Sequence, residues 1–175
     1  MLKKQESLIS DFLEILRITG INIARDGISM SSHCAPHQRP QGHYGNASVY
    51  VFMLDDLCLK VGCVPGRKPT SRLHNHYNPN TANHLAAKIL NGKQRIKEKL
   101  SDSDRVEIDK LSTESIASWM EERLSLYCFH FRRDTSECVI RFFEAFLHCK
   151  MNPLFEGTQT ATQHTTMTSA RQTSS

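Results

Sequence analysis

The 175-residue chain is 39% hydrophobic and 23% charged, which excludes collagen-like and wholly disordered classes and suits one compact domain with appendages. Its longest apolar stretch, residues 47–54, falls far short of the roughly 18 residues that a membrane span requires. A net charge of +4 favours a polyanionic partner only weakly, and six cysteines without a CxxC pair read as buried thiols of a reducing, cytoplasmic setting. Behind Lys3 and Lys4 there is no apolar run of signal-peptide length, so the expected location is inside the cell.

Leu8, Ile9, Phe12, Leu13, Ile15 and Leu16 recur at helical spacing, which predicts an amphipathic helix over 6–19 with Gly20 as its left-handed stop. Ile21-Asn22-Ile23 and Ile28-Ser29-Met30 alternate around Asp26-Gly27, the pattern of a short hairpin. From 31 to 46 the chain is polar and rich in His, Pro, Gly and Gln. It reads as a loop that divides an N-terminal element, 1–46, from a core domain, 47–157.

The most strand-like segment is Ser48 to Leu54, and Leu57 to Cys63 follows it across Asp55-Asp56, which predicts an antiparallel hairpin. Thr70 or Ser71 can cap a short helix through Tyr77, Asn80-Thr81 a second to about Leu90, and Lys93 to Leu100 a third. After a polar acidic stretch, 101–110, come a helix over 115–123 and a short strand over 126–129. A strongly amphipathic helix over 136–150 is stopped by Asn152-Pro153. The last eighteen residues, 158–175, include ten Ser or Thr and no large aliphatic or aromatic residue, the composition of a disordered tail.

Three features carry chemistry. Lys60 lies within an apolar strand, where one charge commonly guards a sheet edge against aggregation, and Tyr50 on the preceding strand is ordinary core material. Arg72 and His76, four residues apart, share a helix face that suits an oxyanion or phosphate clamp and equally a solvated polar face. Glu144 stands at the edge of a narrow polar stripe with Glu137, Arg141 and His148. Hemmed in by Ile140 and Leu147, it should pair with a cation or ligate a metal. For zinc, only His33 and His37 have ligand-like spacing, which leaves a zinc-stapled interaction module as a lesser alternative.

Taken in order, Ser48-Val49-Tyr50, Lys60-Val61-Gly62, Arg72 and Glu144 resemble the motifs of the GIY-YIG nuclease superfamily over about residues 48–157, nearly two-thirds of the chain. Ser48 replaces the first glycine and Val49 and Val61 replace isoleucines. Lys60 replaces the second motif's tyrosine, as in some restriction endonucleases of the superfamily, and Cys63 stands where a small polar or basic residue is more usual.

The resemblance implies an α/β (α+β) fold with a small antiparallel sheet flanked by helices, and metal-dependent hydrolysis of DNA phosphodiesters. Glu144 would hold Mg²⁺ or Mn²⁺, Arg72 would stabilise the phosphorane, and Tyr50 with Lys60 would activate water. His76 would bond phosphate or water. Arg67, Lys68, Lys88, Lys93 and Arg95, with Lys97 and Lys99, fit DNA-phosphate contacts as well as a solvated face. A domain of this family that binds nucleic acid without cleaving it is the main competing reading. Shared catalysis by Tyr50 and Lys60 also requires that both point to one side of the hairpin. A two-residue Asp55-Asp56 turn with a regular ladder would separate them, so a three-residue turn or a bulge of equivalent parity is expected.

Overall fold

The computed structural model describes residues 2–40, 47–64 and 72–155. Helix α1 (Leu2–Ile18) leads into a 3₁₀ turn (Arg25–Gly27) and strand β1 (Ile28–His33). Strands β2 (Ser48–Leu54) and β3 (Leu57–Val64) are followed by α2 (Arg72–Asn75), α3 (Leu85–Asn91), α4 (Lys93–Lys97), α5 (Asp102–Asp109) and α6 (Ile116–Arg123). Strand β4 (Leu124–Phe131) and helix α7 (Glu137–Met151) close the fold. The expected mixed architecture is therefore present: four antiparallel strands in the order β1-β4-β2-β3, with helices on both faces.

Alternation along the strands generates two cores. Val49, Val51, Val61, Phe129 and Phe131 face α1 and α7, where Phe12 packs edge-on against Phe143 with ring centroids 4.7 Å apart. Tyr50, Phe52, Leu54 and Leu126 face the other way, against Leu73, Tyr77, Ile89, Ile116 and Met120 of the α2–α6 layer. Helix α7 begins at Ser136, whose side chain accepts the Val139 amide, and stops at Asn152, which takes the left-handed conformation at φ 45°. Gly20, at φ 77°, ends α1 as expected.

Several segments differ from the sequence reading. Residues 21–24 form no strand, and β1 runs beyond residue 30 to His33. Its partner is β4, with Ile28 opposite Phe131, so residues 1–46 contribute a helix and a strand to the shared sheet and core. The reason is local: Asp26-Gly27 sits in a 3₁₀ turn, and Ile23 packs so closely on Gly27 that a Cβ there would fall 2.5 Å from its Cγ2. β4 is longer than 126–129 because it is a central strand, paired on one side with β1 and on the other with β2. The acidic stretch at 101–110 holds a helix, α5. It buries only Ile108, too little to show a periodicity, and it starts with Asp102 and Asp104 at its positive end. The proposed tail, 158–175, lies outside the described residues.

Candidate functional site

The hairpin sets the geometry. Leu54 pairs with Leu57 around a two-residue turn in which Asp55 takes φ 51°, yet Phe52 pairs with Lys60 and Tyr50 with Gly62. The parity is restored by a bulge between Phe52 and Met53, not by a longer turn. Leu59 and Lys60 therefore both turn to the α2–α6 side, and Tyr50 and Lys60 share a face.

Tyr50 extends across its neighbour on the edge strand. A Cβ on Gly62 would lie 2.5 Å from the Tyr50 hydroxyl and 2.6 Å from Cζ, so only glycine leaves a passage there. At the end of that passage the hydroxyl meets His76 Nε2 at 2.7 Å, and it also hydrogen-bonds the Arg72 side chain. The Leu85 amide donates to His76 Nδ1 at 3.3 Å, which assigns the ring proton to Nε2 and makes His76 a donor to Tyr50. His76 is 4% exposed. Burial, then the positive charges of Lys60 and Arg72, hold its pKa far below the usual range, so the imidazole is neutral. Tyr50 is fully buried, and the loss of solvent pushes its phenol up to about 12 despite the opposing pull of Arg72.

Lys60 is 2% exposed, and burial, followed by the charges of Lys88 and Arg72, lowers its pKa to about 7. Glu144 acts in the opposite sense on the same amine. That carboxylate arrives from the other helical layer. On α7 its side chain is 20% exposed, accepts from Arg141 at 3.3 Å and hydrogen-bonds the thiol of Cys63 on β3, the partner of Val49 on β2. Arg141 also donates to Cys63 Sγ at 2.9 Å. Burial, then the bond to Glu144, pushes the Cys63 thiol up to about 12, so it stays protonated and can donate.

Tyr50, Lys60, Arg72 and His76 thus meet on the α2–α6 side of β3, and Glu144 approaches the same edge strand from the α7 side. Because a magnesium ion is often held by one carboxylate plus water and phosphate oxygens, Glu144 has the donor chemistry for it, with Arg141 and Cys63 as the partners that must yield. Among the described residues no three His, Cys, Asp or Glu side chains form a metal-binding group. His33 and His37 have ring centroids 6.5 Å apart and gain no third ligand among the described residues.

Of the expected DNA-contacting cations, Lys88, Lys93 and Lys97 are half-buried and Arg95 and Lys99 are exposed. Lys93 Nζ donates to the Asp109 and Leu111 carbonyls, capping α5, and Lys97 pairs with Asp109. Arg95 donates to the Leu154 carbonyl and lies over the Phe155 ring, while Lys88 donates to the Phe155 carbonyl. Arg67 and Lys68 lie outside the described residues. The sequence reading missed the passage role of Gly62 and the Leu85 amide that orients His76. The first was visible as the glycine of Lys60-Val61-Gly62; the second is a backbone group with no sequence signal. No family model matches the chain, and neither a curated protein nor a solved structure matches it.

Proposed function

We propose that the chain is a metal-dependent DNA endonuclease that hydrolyses phosphodiesters by one-metal chemistry of the GIY-YIG kind. The observation that carries this reading is the Tyr50 hydroxyl, threaded over Gly62 onto His76 and Arg72 beside the buried amine of Lys60.

Tyr50 Oη accepts from His76 Nε2–H and Arg72, so its own proton is left to donate toward a water or phosphate oxygen. With its pKa pushed up to about 12, the phenol orients water and does not ionise. Lys60, lowered to about 7, is partly a neutral amine at physiological pH and takes the proton of the attacking water. Arg72, exposed at the mouth of the site, places its guanidinium where negative charge grows on the phosphorane. Glu144 would hold Mg²⁺, which when bound supplies Lewis-acid polarisation of the phosphate and stabilises the leaving oxygen.

The competing reading, nucleic-acid binding without cleavage, draws on the engagement of Glu144 by Arg141 and Cys63. Incubation of supercoiled plasmid with the full chain and Mg²⁺ separates the two. Nicking by the wild type, lost in Glu144→Ala and Arg72→Ala proteins that keep their helical signal, supports the endonuclease. Retardation of DNA without nicking supports the binding domain, and neither effect overturns both.

A further inference from the structure

Beyond β1, residues 34–40 are tied to α6 and to the start of β4. The Ala35 amide donates to Ser125 Oγ at 3.4 Å and the His37 amide to the Glu121 carbonyl at 2.9 Å, while Arg39 pairs with the Glu121 carboxylate at 2.7 Å. Held in this way, the segment brings two side chains onto one aromatic ring. His37 Nε2 and the Tyr77 hydroxyl share a hydrogen bond of 2.6 Å, and the Arg39 guanidinium lies 5.3 Å from the centre of the same ring.

Tyr77 directly follows His76, the residue that meets the Tyr50 hydroxyl. Helix α2 has only four residues, too few to fix the turn after it by its own hydrogen bonds, so His76 and Tyr77 depend on anchors from other elements. Two come from α3, whose Ala86 amide donates to the His76 carbonyl at 2.9 Å and whose Leu85 amide donates to Nδ1. The rings of His76 and Tyr77 both stand edge-on to Phe52, with centroids 5.6 and 6.0 Å from it. They share one backbone and one packing partner, and Tyr77 is the one gripped from outside. We propose that His37 is a positioning residue for His76, acting through the Tyr77 hydroxyl. It belongs to residues 1–46, ahead of the motifs at 48–157, so a segment that the sequence sets apart as an N-terminal element completes the site. Because Tyr77 is wholly buried, bulk water does not replace the bond when His37 is lost. Arg39 stays on the ring in that event, so the segment remains docked while the hydroxyl is released.

The consequence for cleavage rests on the endonuclease reading, but the anchoring of His76 does not. Hydrogen exchange of the His76 Nε2 proton is followed by NMR in the ¹⁵N-labelled full chain, its signal identified by its loss in His76→Phe. The backbone amides of Val51 and Phe129, in the core on the opposite face of the sheet, report global opening in the same samples. In His37→Phe the His76 proton should exchange about tenfold faster relative to those two amides, and in His37→Gln, whose side-chain amide can donate to or accept from Tyr77, it should return toward the wild-type rate. A residue that only stabilises the fold would speed all three protons alike. Tyr77→Phe, which keeps the ring and drops the hydroxyl, should reproduce the selective acceleration and decides the matter if His37→Phe does not fold. Exchange at His76 that is unchanged, that quickens only with the two amides, or that is already too fast to follow in the wild type overturns the proposal. If the selective acceleration is found but the wild type does not nick plasmid DNA with Mg²⁺, the anchoring stands and the endonuclease reading fails. If the wild type nicks and His37→Phe matches its kcat, His37 does not position His76 for the reaction.

Discussion

Phe52 pairs with Lys60 across the β2–β3 hairpin, although the turn joins Leu54 directly to Leu57. A regular ladder from that turn would set Tyr50 opposite Val61 and send Lys60 to the α7 side. One extra residue on β3 reverses this, because strand faces alternate with a period of two. The bulge therefore does more than bend an edge strand: it carries a lysine into the layer that already holds Tyr50, Arg72 and His76.

Gly62→Ala tests whether the passage over β3 is required. The added methyl falls 2.5 Å from the Tyr50 hydroxyl and 3.0 Å from Cε2, in a fully buried ring that has no exposed end to swing away. Overpacking of this kind costs about 1–3 kcal/mol. Urea unfolding should show that loss, and plasmid nicking should fall by at least about tenfold as the hydroxyl leaves His76 and Arg72. Wild-type stability and rate together would mean that Tyr50 does not need the passage.

Lys60→Met tests the buried amine through stability. The folded pKa of about 7 lies below the ordinary 10.5, so the fold disfavours the cation. Below pH 7 both states are protonated and the penalty is fully present. Between about 7 and 10.5 the unfolded chain holds more protons than the folded one, so wild-type stability rises with pH. The methionine variant, without this group, should gain most over the wild type at pH 6, by about 1–4 kcal/mol, and lose that margin by pH 10. A constant difference across the range would show that Lys60 keeps its ordinary acidity.

The sheet's hairpin, the stripe of α7 and the cap of α1 were legible because each repeats an apolar pattern or carries a specific stop: Val49, Val51, Val61 and Cys63 on one face, Phe143 and Leu147 on one helix, Gly20 at an end. The pairing of β1 with β4 was not legible, since Ile28 and Phe131 lie about a hundred residues apart and Asp26-Gly27 suggested a nearer partner. Within the site, side-chain identities such as Tyr50, Lys60 and Arg72 could be read in order. The roles of Arg95 and Lys93 could not, because a lysine or arginine that caps a carbonyl has the same sequence signature as one facing water.

Tyr50→Phe separates orientation from bulk. The ring remains, but His76 Nε2–H loses its acceptor in a site without room for bulk solvent, and an orphaned buried donor costs about 1–3 kcal/mol. Cleavage should drop by about two orders of magnitude if the hydroxyl directs the attacking water. In a double-mutant cycle with His76→Phe, the two losses in unfolding free energy should fall short of additive by about 1–2 kcal/mol. Additive losses would mean that the 2.7 Å bond contributes nothing to stability.

Arg141→Met addresses the carboxylate. Arg141 is half exposed and bridges Glu137 at 3.4 Å and Glu144 at 3.3 Å, so its removal should change stability by no more than about 0.5 kcal/mol, as surface ion pairs do. Its guanidinium nevertheless occupies the oxygen that a divalent cation would take, and a metal must displace it. Without Arg141, the Mg²⁺ concentration giving half-maximal nicking should therefore fall several-fold, while Glu144→Gln should need far more metal or lose activity altogether. An unchanged Mg²⁺ midpoint in Arg141→Met, with Glu144→Gln fully active, would move the metal away from α7.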